Sequence, residues 1–508
     1  MRSPAPRRCP VTAPTEPETA VVASAVRRWS IGRFEMSTFG GLNTAVSGLN
    51  AHKRSIEVIG HNVANVNTEG FSRRQVVLEP SVGLRTASRH NTGFSWSNLG
   101  VNIATVHRVR DAFLDARARS SAAGSSEANK LTEVLGTLEA AMPEPGDNGL
   151  NTKLANFWNA FSDAANQPGA TPQRTSVLAQ GESLATGIRN AAESLQVAHD
   201  NYSRELGDVI AEVNSLSDQV ADLNSQIRQS TISGMNAADM MDQRDVLIDR
   251  LAALTGATTR PGEYNQTTVV LGGSTLVSGE LREHLAVREI GPLNPPLNNL
   301  DPQMTQVQWA RDGYAAASLG GTTGGIVAAL NDVIPRYMNE LDTVAQTLIS
   351  TVNAQHQLGE GQDAVSGRNF FDVSGPGPVS KRIMLSSDVA GQPQNIALAA
   401  SGGGALDGSN GYALAALMTS ATGANASYES MLGRLGIEGQ AAASRAETQD
   451  QFAQQTETQR TSVAGVNVDE EMTNLMMSQR AYEASARMLT AIDELLDVLI
   501  NRTGIVGR

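Results

Sequence analysis

The sequence predicts a mainly α-helical protein with a small antiparallel β insert. Long heptad helices at the two ends pair as a coiled-coil-like core, and an elongated helical domain fills the middle. Three observations predict this. Apolar residues recur at alternating steps of three and four near the start and again close to the end. A much longer run of similar spacing occupies the centre, and short β-branched runs broken by Gly, Pro and Asn interrupt it once.

At 508 residues and 40% hydrophobic content, the chain can bury the cores of two or three domains. Aromatic residues are only 4%, so its helices must pack largely through small side chains. A formal net charge of −13 argues against a nucleic-acid partner. No stretch approaches the roughly 18–20 apolar residues of a membrane span, so no membrane insertion is expected. The single cysteine, Cys9, excludes an intramolecular disulfide framework and a cysteine-based metal site.

Residues 1–35 stand apart. They hold five prolines and six arginines against three glutamates, the composition of a disordered extension. Their apolar run AVVASAV is followed by arginine and makes a poor signal-peptide core. The change in character at Met36 points to that methionine as the true start, with 1–35 the product of a mis-assigned upstream start. From there Leu42, Ala45, Leu49, His52, Ile56, Ile59, Val63 and Val66 form an unbroken 3/4 seam, the pattern of a helix packed along another helix. His52 reads as a partly exposed seam residue rather than a ligand. The segment ends in a turn carrying Asn62, Asn65, Asn67, Thr68, Gly70 and Phe71. Asparagine tolerates the left-handed region and bonds nearby backbone, so Asn65 and Asn67 oppose continuation of the helix. Phe71 to Leu78 then reads as a strand.

Residues 36–75 and 463–508 are therefore assigned to the terminal helical core, and 76–256 with 326–462 to the elongated helical domain. Residues 101–140 end in helix, broken at Pro143 and Pro145. Helix resumes at Thr171-Pro172, an N-cap followed by proline at the first helical position, and continues to about residue 230. A second helix runs from Asp239 to Leu254. Residues 257–325 form the β insert, with TTVVLGG, STLVSG, HLAVREI and TQVQWARD as its strands. Helix returns over 324–358 and 412–462, with a Gly/Ser/Pro-rich stretch between. The last helix carries a second seam of Val468, Met472, Leu475, Gln479, Tyr482, Ala486, Leu489, Ile492, Leu496 and Leu499. Asn467 and Glu470 form a capping-box pattern at its start. A buried aliphatic contributes about 1.5–3 kcal/mol, whereas ordering costs about 1–2 kcal/mol per residue. Two lone helices are therefore marginal, and several copies packed together stabilise them. The seven histidines are scattered, no phosphate-loop or metalloprotease motif occurs, and no catalytic, cofactor-binding or metal-binding residue is expected.

Three stretches resemble the flagellar axial proteins, most closely the hook-associated protein 1 (FlgK) family. They are STFGGLNTAVSGLNAHKRSIEVIGHNVANVNTEGFSRRQV at 37–76, MMDQRDVLIDRLAALTGA at 240–257, and GVNVDEEMTNLMMSQRAYEASARMLTAIDELLDVLIN at 465–501. The resemblance implies a structural subunit of the extracellular bacterial flagellum at the hook–filament junction, and no enzyme. It further implies a homo-oligomeric ring, with the hook protein and hook-associated protein 3 as neighbours. A flagellar export chaperone and the type III export apparatus would deliver the chain unfolded, guided by an uncleaved N-terminal signal. The terminal helices would form the inner tube wall, and the asparagine turn would direct the chain outward. Two departures stand out. Only about forty loop-like residues follow Asn369-Phe370-Phe371, where relatives often carry a sizeable outer domain, so that domain is reduced or absent. The 35-residue extension precedes the expected export signal. A hook or distal-rod axial subunit and a generic secreted helical filament protein remain the alternative readings.

Overall fold

The computed structural model describes residues 38–81, 100–146, 148–292 and 303–502, so the extension expected at 1–35 lies outside the described residues. Helix α1 (Thr38–Ala64) leads into an antiparallel pair, β1 (Arg74–Pro80) and β2 (Val101–Arg108). Four helices follow: α2 (Ala112–Ala141), α3 (Leu150–Asn166), α4 (Thr171–Ile232) and α5 (Ala238–Thr255). The insert comprises a four-stranded antiparallel sheet, β3 (Thr258–Pro261), β4 (Thr267–Leu271), β5 (Ser274–Ser278) and β6 (Leu281–Arg282), and a separate pair, β7 (Leu285–Pro292) with β8 (Gln303–Trp309). Then come α6 (Gly321–Ala328), α7 (Ile334–Leu358) and a small lobe in which β9 (Gly359–Glu360) pairs with β12 (Ala399–Ala400), and β10 (Phe371–Val373) with β11 (Ile383–Leu385). The chain closes with α8 (Ser409–Ala416), α9 (Ala424–Ala464) and α10 (Val468–Asp497).

The 62 residues of α4 span about 93 Å at 1.5 Å per residue and form the axis of the body. Most of its apolar positions, among them Leu184, Ile188, Leu195, Leu206, Val213 and Val220, are buried, because α3, α5, α7 and the lobe strand β11 cover successive lengths of it. Alongside, α2 runs with α9. The strand pair β1–β2 lies against α1, and the first helix after it, α2, opens at Ala112. A two-stranded ribbon needs a face to cover it, and α1 supplies one.

Helix α3 was not anticipated between the Pro143–Gly146 break and Thr171. Its buried Leu154, Phe157, Trp158 and Phe161 have the spacing of an amphipathic helix, and the Glu144 carboxylate accepts the Asn151 N–H at 2.8 Å near its start. These aromatics meet Phe370 and Phe371, both fully buried. The Phe157–Phe161 and Phe370–Phe371 ring centroids are 5.1 and 4.9 Å apart, within the favourable range for edge contacts. The side chain of Asn353 accepts both the Phe370 and the Phe371 N–H at 2.9 Å. The segment after Phe371 thus folds back as the lobe.

His356, fully buried, pins that lobe. Its Nδ1 lies 2.8 Å from the Arg368 carbonyl, and its Nε2 accepts the Ala397 N–H at 3.0 Å. The two bonds require the neutral tautomer with hydrogen on Nδ1. Burial pushes the imidazole down to about 4 from 6.5. With the folded value depressed, the stability from neutral His356 is complete above pH 6.5 and declines as pH falls toward 4, by about 3 kcal/mol over that window. Urea titrations at pH 7 and pH 4.5 should show a larger loss in the native chain than in His356→Gln; equal losses would exclude this role for the histidine.

Candidate assembly interface

The α1–α10 pair is antiparallel and its register follows from three contacts. A Cβ at Gly41 would lie 3.2 Å from Ile492, and one at Gly48 would lie 3.1 Å from the Ser485 hydroxyl. Asn62 bonds Glu471. Positions 41, 48 and 62 on α1 thus meet 492, 485 and 471 on α10, in heptad steps running opposite ways. Small residues on both sides set the approach, since helix separation depends on the side chains at the contact.

Asn62 is fully buried. Its Nδ2 donates to the Arg74 carbonyl at 2.9 Å and to the Glu471 carboxylate at 3.0 Å, while its Oδ1 accepts the Arg74 N–H at 3.0 Å. One amide thereby ties α1 to β1 and α10. Arg73 adds two links: its N–H donates to the Ala464 carbonyl at 2.8 Å, and its guanidinium pairs with Glu470 at 3.0 Å. Asn467 caps α10 by accepting the Asp469 and Glu470 N–H groups at 3.0 and 3.3 Å. The Glu470 carboxylate pairs with Arg73, and the cap is made by the Asn467 side chain.

The turn between α1 and β1 rests on α5. Asn65 ends the helix by donating from its side chain to the His61 carbonyl at 2.9 Å. The left-handed conformation falls to Gly70 (φ +75°) and not to Asn65 or Asn67. A Cβ at Gly70 would stand 2.1 Å from the Val246 side chain, so glycine serves both the turn and the close approach. Phe71 is half-buried, with the Arg74 guanidinium 5.2 Å from its ring centroid.

Below this turn lies a ladder of ion pairs that explains the DQRD stretch. Asp242, Asp245 and Asp249 lie on one face of α5, three and four residues apart. Asp242 receives Arg74 at 3.3 Å and Arg108 at 2.9 Å, and Arg74 also reaches Asp239. Asp245 receives Arg108 at 2.8 Å and Arg110 at 2.7 Å. Asp249 receives Arg119 and Arg460, each at 2.6 Å. The arginines come from β1, β2, the β2–α2 connection, α2 and α9, so the ladder joins the strand pair beside α1 to the helices of the body. Burial alone would raise the Asp245 carboxyl, but Arg110, Arg108 and Arg244 outweigh it and hold the group below its usual value. No periodicity in the sequence reveals these pairs, because their partners lie up to 211 residues apart.

The predicted seam residues divide. Ala45 and Ile59 are buried; Leu42, Leu49, His52, Ile56, Val63, Leu475, Tyr482, Ala486, Leu489 and Leu496 are half-buried. Val66, Val468, Met472 and Leu499 are exposed, as are Asn67, Thr68 and Gly70. Glu471, Ser478 and Ser485 replace Met472, Gln479 and Ala486 at the inner positions, because the close approach at Gly48 and Asn62 admits small or hydrogen-bonding groups. Beside the inner row, α10 and the turn that follows it carry a second 4/3 series of Met477, Ala481, Ala484, Met488, Ala491, Leu495 and Val498. Its four large members are 44–58% exposed. An apolar heptad row in water is the surface a further helix would cover.

Two substitutions test the joint. Asp245→Ala leaves Arg108 and Arg110, both mostly buried, short of a carboxylate, and should lower the unfolding free energy by about 3 kcal/mol in urea titration. Gly70→Ala should cost roughly 1–2 kcal/mol for its left-handed backbone alone. Gly60→Ala, where an added Cβ meets nothing within 4 Å, should be neutral or stabilising. Equal effects at the two glycines would refute the argument.

The described geometry matches known proteins along most of its length. The family model of the flagellar hook-associated protein FlgK helical domain matches residues 135–371. The flagellar basal body rod FlgEFG protein C-terminal model matches 457–502, and the flagella basal body rod protein model matches 42–71. Flagellar hook-associated protein 1 of Bacillus subtilis is 29% identical over 93% of this chain and 100% of its own length. Its namesake in Salmonella typhimurium is 24% identical over 66% of this chain and 60% of that protein. The solved structure of the flagellar hook junction protein FlgK from Burkholderia pseudomallei covers 70% of this chain and 100% of that one, with a TM-score of 0.57 at 13% identity, a likeness of fold. Rod-type segments at both ends tie the chain to the flagellar hook machinery. With a segment like the FlgK helical domain between those ends, the chain is similar over most of its length to flagellar hook-associated protein 1 (FlgK), a structural flagellar protein.

Proposed function

We propose that the chain is a subunit of a ring at the hook–filament junction, where it serves as the adaptor on which the filament is built. The observation that carries this reading is the exposed heptad row on α10 beside the α1–α10 contact. Only Ala45, Ala51, Val58, Ile59 and Asn62 of α1, and Glu471 of α10, are buried among the described residues. A pair so thinly covered gains stability when the same pair from neighbouring copies packs against it. The seam residues, Leu42 to Val66 and Val468 to Leu499, take part as intramolecular contacts where half-buried and as contacts between copies where exposed. The body, held away from the tube by the α5 ladder, faces outward. Export by the flagellar type III apparatus with a dedicated chaperone, and neighbours in the hook protein and hook-associated protein 3, complete the reading. The long α4 and the α5 ladder separate it from the hook or distal-rod alternative, whose family segments match only the two ends.

Deleting the gene and viewing the cells by electron microscopy tests the position. Hooks without filaments, with filament subunit free in the medium, are expected. Absent hooks would move the protein inward to rod or hook, and normal motile cells would refute the role. In complementation, Leu495→Asp should leave the body folded and abolish incorporation, since a charge in a packed row lacks a partner.

A further inference from the structure

We infer that Met477 and Met488 form an oxidation-sensitive site that controls whether the chain can assemble, an inference resting on the assembly role proposed above. Four of the fifteen methionines of the chain fall in α10, and all four are 44–57% exposed. Met477 and Met488 lie on the second heptad row with Leu495 and Val498, while Met472 and Met476 stand on the other side of the helix. On the row, the two thioethers are its largest side chains toward the start and middle of α10; the positions between them are alanines. A peroxide is the oxidant. One peroxide oxygen bonds to the methionine sulfur as the O–O bond breaks; sulfur loses two electrons and the peroxide leaves as water. The product is a polar, chiral sulfoxide. In the free chain the change costs little, because both side chains already meet water. In an assembled row the sulfoxide oxygen would have to lose its water among alanine and leucine side chains, an unfavourable burial. Oxidation therefore blocks incorporation while leaving the body intact. An incorporated copy is protected, because its sulfurs are covered.

The test uses the purified full-length chain added to hooks of cells lacking the gene, with electron microscopy counting occupied hooks. Wild-type protein treated with hydrogen peroxide, with sulfoxide at 477 and 488 confirmed by mass spectrometry, should lose incorporation. Treatment with the two methionine sulfoxide reductases, one for each epimer, should restore it. Met477→Leu/Met488→Leu should incorporate before and after peroxide, although Met472, Met476 and the body methionines still oxidise. Met472→Leu/Met476→Leu should stay sensitive. Unchanged incorporation of the doubly oxidised wild type, or equal sensitivity of the Met477→Leu/Met488→Leu chain, would overturn the inference. Failure of the untreated wild type to incorporate would instead overturn the assembly role, and the inference with it.

Discussion

Burying a charge is costly unless an opposite charge and hydrogen bonds meet it in the same place. That constraint governs the joint of this molecule. Asp242, Asp245 and Asp249 sit on one face of α5, and Arg74, Arg108, Arg110, Arg119 and Arg460 converge on them from five other segments. Each carboxylate receives at least two guanidinium groups, so removing one partner leaves the other charges of the ladder short of a neighbour. The strand pair cannot tilt off α5 without separating Arg74 and Arg108 from their acids. Helix α1 cannot leave the strand pair without breaking three bonds at Asn62. The direction of the terminal unit relative to the body is therefore an electrostatic property first and a packing property second.

The two halves of the molecule differ in how they are stabilised. The body has a continuous apolar core in which Phe157, Phe161, Phe370, Phe371 and Tyr337 are fully buried. Each such side chain contributes a few kcal/mol. The terminal pair has small residues at its closest points and one fully buried amide. It gains little from area and much from its attachment at Asn62, Arg73 and the ladder. The consequence is a terminal pair with apolar side chains on its surface, held to the rest of the chain chiefly by polar contacts.

Polar groups with no local explanation in the sequence acquire one from distance. Arg174 is almost fully buried with no acid beside it, and burial pushes it down to about 10. Its guanidinium is held by the Pro168 and Ile396 carbonyls at 2.7 and 2.6 Å, so it fixes the lobe to the start of α4, as His356 fixes it to the end of α7.

Local periodicity is a property of consecutive residues, and where it carries the information the sequence sufficed. The helices α1 and α10, the long α4, α5 and the β insert all follow from apolar spacing and turn residues, and the family resemblance follows from the stretches at 37–76, 240–257 and 465–501. Which row of each seam faces inward was decided in three dimensions. Gly48 and Ser485 let the helices close, and that closeness shifted the inner row of α10 by one position at Ser478 and Ser485. Asn62 reads as a turn residue in sequence and becomes a clamp only when Arg74 and Glu471 arrive. The acids of the DQRD segment likewise have no assigned partners until five arginines, spread over several hundred residues, meet them. Hydrogen bonds and ion pairs between segments far apart in the chain leave no periodic trace, because their geometry depends on the packing that brings the segments together.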